Sequence, residues 1–163
     1  MRAWTPARAL VIGGLTVGLL DGLDAIVFFG LRGVTPIQIM QSIASGLLGR
    51  AAYQGGIATA ALGTLLHFGI ALAVVVVYYL ASRRWPVLVR QPLAFGPLYG
   101  LVVYGVMNLV VLPLSAAVTG PRTLPVVING LLIHALGVGL PSAVFARAAT
   151  RAKNEDRGAA AAA

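Results

Sequence analysis

The chain has 163 residues, a length typical of one domain, and 59% of them are apolar while only 10% are charged. With a mean hydropathy of +0.92, it has too few charged groups to cover a water-exposed surface, which favours a protein solvated by lipid. The absence of cysteine excludes disulfides, thiolate metal sites and haem attached through thioethers. The formal charge of +8 is spread between and beyond the apolar runs, which argues against nucleic acid as a partner.

Four apolar runs are each long enough to cross a hydrocarbon core, which takes about 20 helical residues. They cover residues 9–31, 57–81, 93–114 and 124–146. Because lipid offers no hydrogen bonds to a backbone, each run is predicted to be an α-helix. The first run is longer than a secretory signal and contains two aspartates, so we interpret it as a retained span. The sequence predicts an all-α polytopic membrane protein.

The segment between the first two spans is predicted to form a further helix over residues 36–49. Thr35 and Pro36 make a favourable N-cap and first turn. Apolar residues then recur at helical spacing, at Ile37, Met40, Ile43, Ala44, Leu47 and Leu48, with Gln38, Gln41, Ser42 and Ser45 on the other side. This pattern predicts an amphipathic helix in the membrane interface, with a re-entrant hairpin as the alternative.

The distribution of lysine and arginine predicts the orientation of the chain. Nine lie on the side of the N-terminus, the hinge 82–92 and the C-terminal tail, and three on the other side. The nine are Arg2, Arg8, Arg83, Arg84, Arg90, Arg147, Arg151, Lys153 and Arg157, and the three are Arg32, Arg50 and Arg122. This asymmetry favours an inner (plasma) membrane protein with both termini in the cytoplasm. The cytoplasmic interface is then expected to hold four aromatic residues, Trp4, Tyr78, Tyr79 and Trp85. Residues 1–147 form the predicted transmembrane domain, and 148–163 a flexible cytoplasmic tail.

Four ionisable residues lie well inside the predicted spans: Asp21, Asp24, His67 and His134. A charge at such depth costs about 3 kcal/mol even on insertion scales, so these side chains are expected to face the bundle interior. Asn108 and Asn129 are predicted at a similar depth and complete a buried polar cluster. Two carboxylates three residues apart on a helix are neighbours, so we expect them to share a proton or pair with a histidinium. The alternative is that these groups only hydrogen-bond between helices and fix their packing.

Small residues lie beside this cluster. Gly14, Gly18 and Gly22 form a stripe on the first span that lets another helix approach closely, and Asp21 lies within the same face. On the fourth span, Pro141 follows His134 and is expected to bend the helix. These patterns indicate that the small residues and the ionisable residues face the same interior of the helix bundle.

Both histidines end a Gly-x-Leu-x-His motif, at Gly63–His67 and Gly130–His134, which hints at an internal repeat of two spans. Two such motifs in four spans, together with an acidic first helix, resemble small uncharacterised bacterial inner-membrane proteins that are classed as domains of unknown function. The resemblance implies four helices and an inner membrane, and it transfers no activity.

The leading functional hypothesis is a membrane protein that handles protons, ions or a small solute through the Asp/His cluster, as a homodimer or with a membrane-protein partner. The rival is a non-catalytic assembly or scaffold subunit of a membrane complex. Motifs of soluble enzymes are missing, and no enzymatic activity is predicted. No cofactor is expected; the alternatives are a haem b held by His67 and His134, or Zn²⁺, Fe²⁺ or Mn²⁺ held by these histidines with Asp21 and Asp24.

Overall fold

The computed structural model describes residues 5–161, and within that range the chain is helical without strands. Four helices are long and apolar enough to cross a membrane, at Pro6–Gly30, Gly56–Arg84, Pro92–Leu114 and Leu124–Glu155. The predicted all-α fold with four helices of membrane-spanning length is therefore confirmed. Arg2 and Trp4 lie outside the described residues.

The helices are labelled in chain order. The first four are α1 (Pro6–Gly30), α2 (Pro36–Leu48), α3 (Gly56–Arg84) and the short α4 (Val87–Arg90), and a 3-10 turn at Gly49–Gln54 joins α2 to α3. Helix α5 runs through Pro92–Val106, a π-helical turn at Met107–Val111 and Leu112–Leu114. Helix α6 runs through Leu124–Ile133, a π-helical turn at His134–Gly139 and Leu140–Ala161. The boundary predicted at residue 147 therefore falls inside a continuous helix, because the alanine-rich tail favours helix.

Both π-helical turns are followed by a Leu-Pro pair. The N–H of Leu112 bonds to the carbonyl of Met107, and the N–H of Leu140 to that of Ala135, each five residues back. The residues after these leucines are prolines, which lack an N–H and whose rings clash with the carbonyl four residues earlier. A widened turn accommodates the ring, so the prolines explain why the turns lie there.

The widened turn in α5 leaves one backbone oxygen without a partner in its own helix. The carbonyl of Asn108 would pair with Leu112 in an α-helix, but the N–H of Leu112 bonds to Met107 instead. The guanidinium of Arg122, in the connection to α6, donates to this carbonyl at 3.0 Å. Arg122 thus satisfies a group that the proline-induced turn exposes.

Helix α2 begins as predicted, and part of its polar face packs against the rest of the protein. Thr35 and Gln38 form a reciprocal capping box at its N-terminus. Gln41 and Ser45, predicted on the solvated side, are only 4% and 0% exposed. Three of the apolar residues are instead exposed, at Ile37, Leu47 and Leu48. The polar face is therefore divided: Gln38 and Ser42 are exposed, whereas the amide of Gln41 donates to the carbonyl of Gly56 at 3.0 Å.

The bundle is packed more closely at one end than at the other. A core cluster joins the start of α1, the end of α3, α4 and the second half of α6, and it contains Ala9, Tyr78, Tyr79, Val89, Ala143, Ala146 and Ala149. Tyr78 and Tyr79 are buried in it and face the inside of the bundle, whereas Trp85 is 60% exposed. At the other end, Leu124–Ile133 of α6 has no buried residue. The polar cluster lies towards this looser end.

Candidate functional site

The carboxylate of Asp21 lies between the imidazoles of His67 and His134. Each histidine Nδ1 is 4.0 Å from one of the two carboxylate oxygens, His67 from Oδ2 and His134 from Oδ1. The three side chains come from α1, α3 and the π-helical turn of α6, and all three are partly buried, with 28%, 12% and 20% of their side chains exposed. The structure therefore brings together three of the four ionisable residues that the sequence singled out.

The second nitrogen of His67 is held by the backbone of α1. Its Nε2 lies 2.8 Å from the carbonyl oxygen of Gly18. A carbonyl oxygen only accepts hydrogen bonds, so Nε2 must carry the hydrogen. In the neutral ring, Nδ1 is then an acceptor that faces the carboxylate of Asp21.

The glycine stripe of α1 creates the space that His67 occupies. A Cβ atom added at Gly22 would lie 3.2 Å from Nε2 of His67, and one added at Gly18 would lie 2.5 Å from the ring of Phe68. A Cβ at Gly14 would press on the backbone of Leu72 in the same helix. The stripe therefore packs against α3 and, in addition, gives the imidazole access to a backbone carbonyl.

His134 is placed by a close crossing of α5 and α6. Gly96 and Gly100 form a Gly-x-x-x-Gly pair on α5, and a Cβ at Gly100 would overlap the carbonyl oxygen of His134. The ring of Tyr104 packs edge-on against the imidazole, with 5.3 Å between centroids. Among the described side chains, Nδ1 of His134 is the one buried polar atom that has no hydrogen-bond partner. It faces Asp21 with its hydrogen-bonding capacity unused.

The remaining polar residues have separate partners. The amide of Asn129 donates to Oδ2 of Asp24 at 2.7 Å, which joins α6 to α1. The amide of Asn108 instead donates to the carbonyl of Tyr104 in its own helix at 3.0 Å. Asp24 and Asn129 thus form a second polar pair, one helical turn from Asp21 along α1.

The hydrogen-bonding capacity of the first group is not matched by the side chains alone. Nδ1 of a neutral His67 and an ionised Asp21 are both acceptors, and two acceptors that face each other repel. A hydrogen between Nδ1 of His67 and the carboxylate would join them, and Nδ1 of His134 can donate to the same carboxylate in the tautomer that carries its hydrogen there. At 4.0 Å the atoms are about 1 Å beyond hydrogen-bond distance, so a small rotation or one bridging water connects them.

The same geometry bears on metal and haem. Among residues 5–161, no three His, Cys, Asp or Glu side chains are arranged to hold a metal ion. A haem iron held by two histidines would need one ring nitrogen from each, yet Nε2 of His67 is bonded to Gly18 and both Nδ1 atoms face Asp21.

Several contributors to this site could not be singled out from the sequence. The carbonyl of Gly18, the ring of Tyr104 and the close approach at Gly100 all depend on how helices distant in sequence meet. The Gly-x-x-x-Gly spacing of Gly96 and Gly100 is the one signal that was present in the sequence.

No protein-family model, curated protein or solved structure matches the chain. The fold and the site together define a chain with four helices of membrane-spanning length and an Asp–His–His group where three of them meet.

Proposed function

We propose that this chain is a membrane protein that binds and transfers protons through Asp21, His67 and His134. The observation that carries the proposal is the position of the Asp21 carboxylate, 4.0 Å from the Nδ1 atoms of two histidines on two other helices. Ionisable groups are costly among apolar helices, and intramembrane carboxylates and histidines are the usual components of proton relays.

The roles follow from the hydrogen-bonding capacity of each group. Asp21 is the shared proton carrier because its two oxygens face different histidines. His67 is the fixed partner, since its Nε2 is bonded to Gly18. His134 is the exchanging partner, since its Nδ1 has no other bond among the described residues. A proton held between Asp21 and His67 can pass to His134 by way of the carboxylate.

The proposal includes the location of the chain. The nine-to-three distribution of lysine and arginine supports a bacterial inner membrane with both termini in the cytoplasm. The polar cluster then lies in the outer half of the bilayer, and α2 lies near the outer interface. Four spans are few for a carrier, so a homodimer or a membrane-protein partner belongs to the same proposal.

Proton flux in liposomes tests the proposal. The purified protein is reconstituted with a pH-sensitive dye inside the vesicles, and a pH step is applied. Asp21→Asn keeps the shape of the side chain but cannot titrate, so we expect the flux of the wild type to fall to that of empty vesicles. Glu155→Gln is the matched control, because it removes one carboxylate from the far end of α6.

An Asp21→Asn protein that is monodisperse in detergent and still carries wild-type flux would refute the proposal. If Asp21→Asn retains its flux and Gly18→Ala loses a co-purifying membrane protein, the assembly-subunit hypothesis is supported instead.

A further inference from the structure

Three arginines converge at the end of the bundle remote from the Asp–His–His group. Arg147 and Arg151 lie one turn apart on α6, and Arg90 ends the short helix α4. These three side chains line a groove of about 320 Å³, together with Asn154, Thr150 and other residues. The groove begins where the apolar part of α6 ends, at the level of the predicted membrane surface.

Packing of α4 against α6 places the third arginine. Val89 is 8% exposed and belongs to the same core cluster as Ala146 and Ala149. Arg90 follows Val89 directly, so the buried valine fixes the point at which this arginine meets α6. The convergence is therefore built by packing and does not depend on the freedom of long side chains.

The positive charge in this groove is not neutralised by the described side chains. Among the described side chains, no carboxylate lies within ion-pair distance of Arg90, Arg147 or Arg151. Glu155 lines a neighbouring groove, and the side chain of Asp156 is outside the described ones. Like charges held together repel, and an anion from outside the chain relieves that repulsion.

Arg147 and Arg151 also line a second groove, of about 560 Å³, on the side that faces α5. Besides Arg147, Arg151 and Glu155, its lining is apolar and includes Pro92, Val144 and Ala148. Arg147 and Arg151 therefore stand between a basic groove at the membrane surface and a second groove that reaches back to Val144, about one turn inside the apolar part of α6. That combination matches a molecule with an anionic head and a hydrocarbon chain.

We infer that these two grooves bind one anionic phospholipid. Its phosphate lies among Arg90, Arg147 and Arg151, and an acyl chain lies along Val144 and Ala148. Arginine is suited to the phosphate because its planar guanidinium donates two parallel hydrogen bonds. The site is separate from the proposed proton group and does not depend on it.

Native mass spectrometry of the full-length protein in detergent tests the inference. Phosphatidylglycerol and phosphatidylcholine with identical acyl chains are added in turn, and the bound fraction of each is measured. We expect the wild type to retain phosphatidylglycerol preferentially. The double variant Arg147→Gln/Arg151→Gln should lower its affinity about thirtyfold, because each of the two basic residues near a headgroup contributes about 1 kcal/mol.

The double variant Arg83→Gln/Arg84→Gln is the matched control. It removes the same charge from the same end of the bundle, from two exposed residues that line neither groove. Equal loss of phosphatidylglycerol in both double variants would refute a defined site, and so would equal retention. If Arg147→Gln/Arg151→Gln does not fold, Arg90→Gln must by itself reduce binding several-fold.

Competition with inorganic phosphate tests whether the groove binds a lipid headgroup or a free phosphate ion. For a lipid site, phosphate at the same concentration should leave bound phosphatidylglycerol in place, because it lacks the acyl chain. Displacement of the lipid by phosphate alone would overturn the inference and assign the groove to a free anion.

Discussion

Asn129 donates a 2.7 Å hydrogen bond to the carboxylate of Asp24 and thereby connects α6 to α1. The same amide group in Asn108 donates to the backbone of its own helix. Both residues were predicted to belong to one polar cluster, yet only Asn129 bridges two helices. This difference leads to opposite expectations for the two asparagines.

Replacing Asn129 by Ala should destabilise the bundle by about 1 kcal/mol, since it leaves a partly buried carboxylate without its donor. Asn108→Ala is the control and should leave the stability nearly unchanged, because the side-chain amide of Asn108 bonds only to a carbonyl in its own helix. Thermal unfolding in detergent, followed by circular dichroism, compares the two. Equal shifts in Tm would show that the bond between Asp24 and Asn129 does not stabilise the fold.

Gly18→Ala should destabilise the packing of α1 on α3. The added Cβ would lie 2.5 Å from the ring of Phe68, and overpacking of this kind costs about 1–3 kcal/mol. Gly105→Ala is the control, because a Cβ at that helical position meets no atom within 4 Å. We expect a lower Tm for the first variant and an unchanged or higher one for the second. A Gly18→Ala protein as stable as wild type would mean that the contact relaxes without cost.

Gly22→Ala should affect proton transfer more than stability. Its Cβ would lie 3.2 Å from Nε2 of His67, close enough to shift the imidazole by a few tenths of an ångström without disrupting the helices. We expect reduced flux in the liposome assay with a Tm near that of wild type. Gly69→Ala on α3 has open space around it and should change neither quantity. A normal flux in Gly22→Ala would show that the ring position is not critical.

The orientation of the chain can be checked with single cysteines, since the natural sequence has none. Arg122→Cys should react with a membrane-impermeant maleimide added to intact spheroplasts. Arg84→Cys should react only after lysis, because the predicted topology places the hinge in the cytoplasm. The reverse labelling pattern would invert the topology.

The sequence was sufficient to predict the membrane-length helices and the residues of the Asp–His–His group, because both follow from hydropathy and from the cost of burying charge. It was not sufficient for α2: amphipathic spacing identifies two faces, but only the tertiary structure shows that Gln41 and Ser45 face inward. It also did not predict the π-helical turns. Pro141 indicated a bend, but a proline by itself does not distinguish a kinked α-helix from a widened turn.

The bond between His67 and Gly18 makes the tautomer of the ring sensitive to movement between two helices. A slide of α1 along α3 by one residue, about 1.5 Å, would carry the carbonyl of Gly18 away from Nε2. The ring would then lose the acceptor that fixes its tautomer, and Nδ1 would be free to take up the hydrogen and present it to Asp21. The tautomer of His67 and the register of α1 on α3 are therefore linked, so that a movement of α1 along α3 would decide whether Nδ1 faces Asp21 as an acceptor or as a donor.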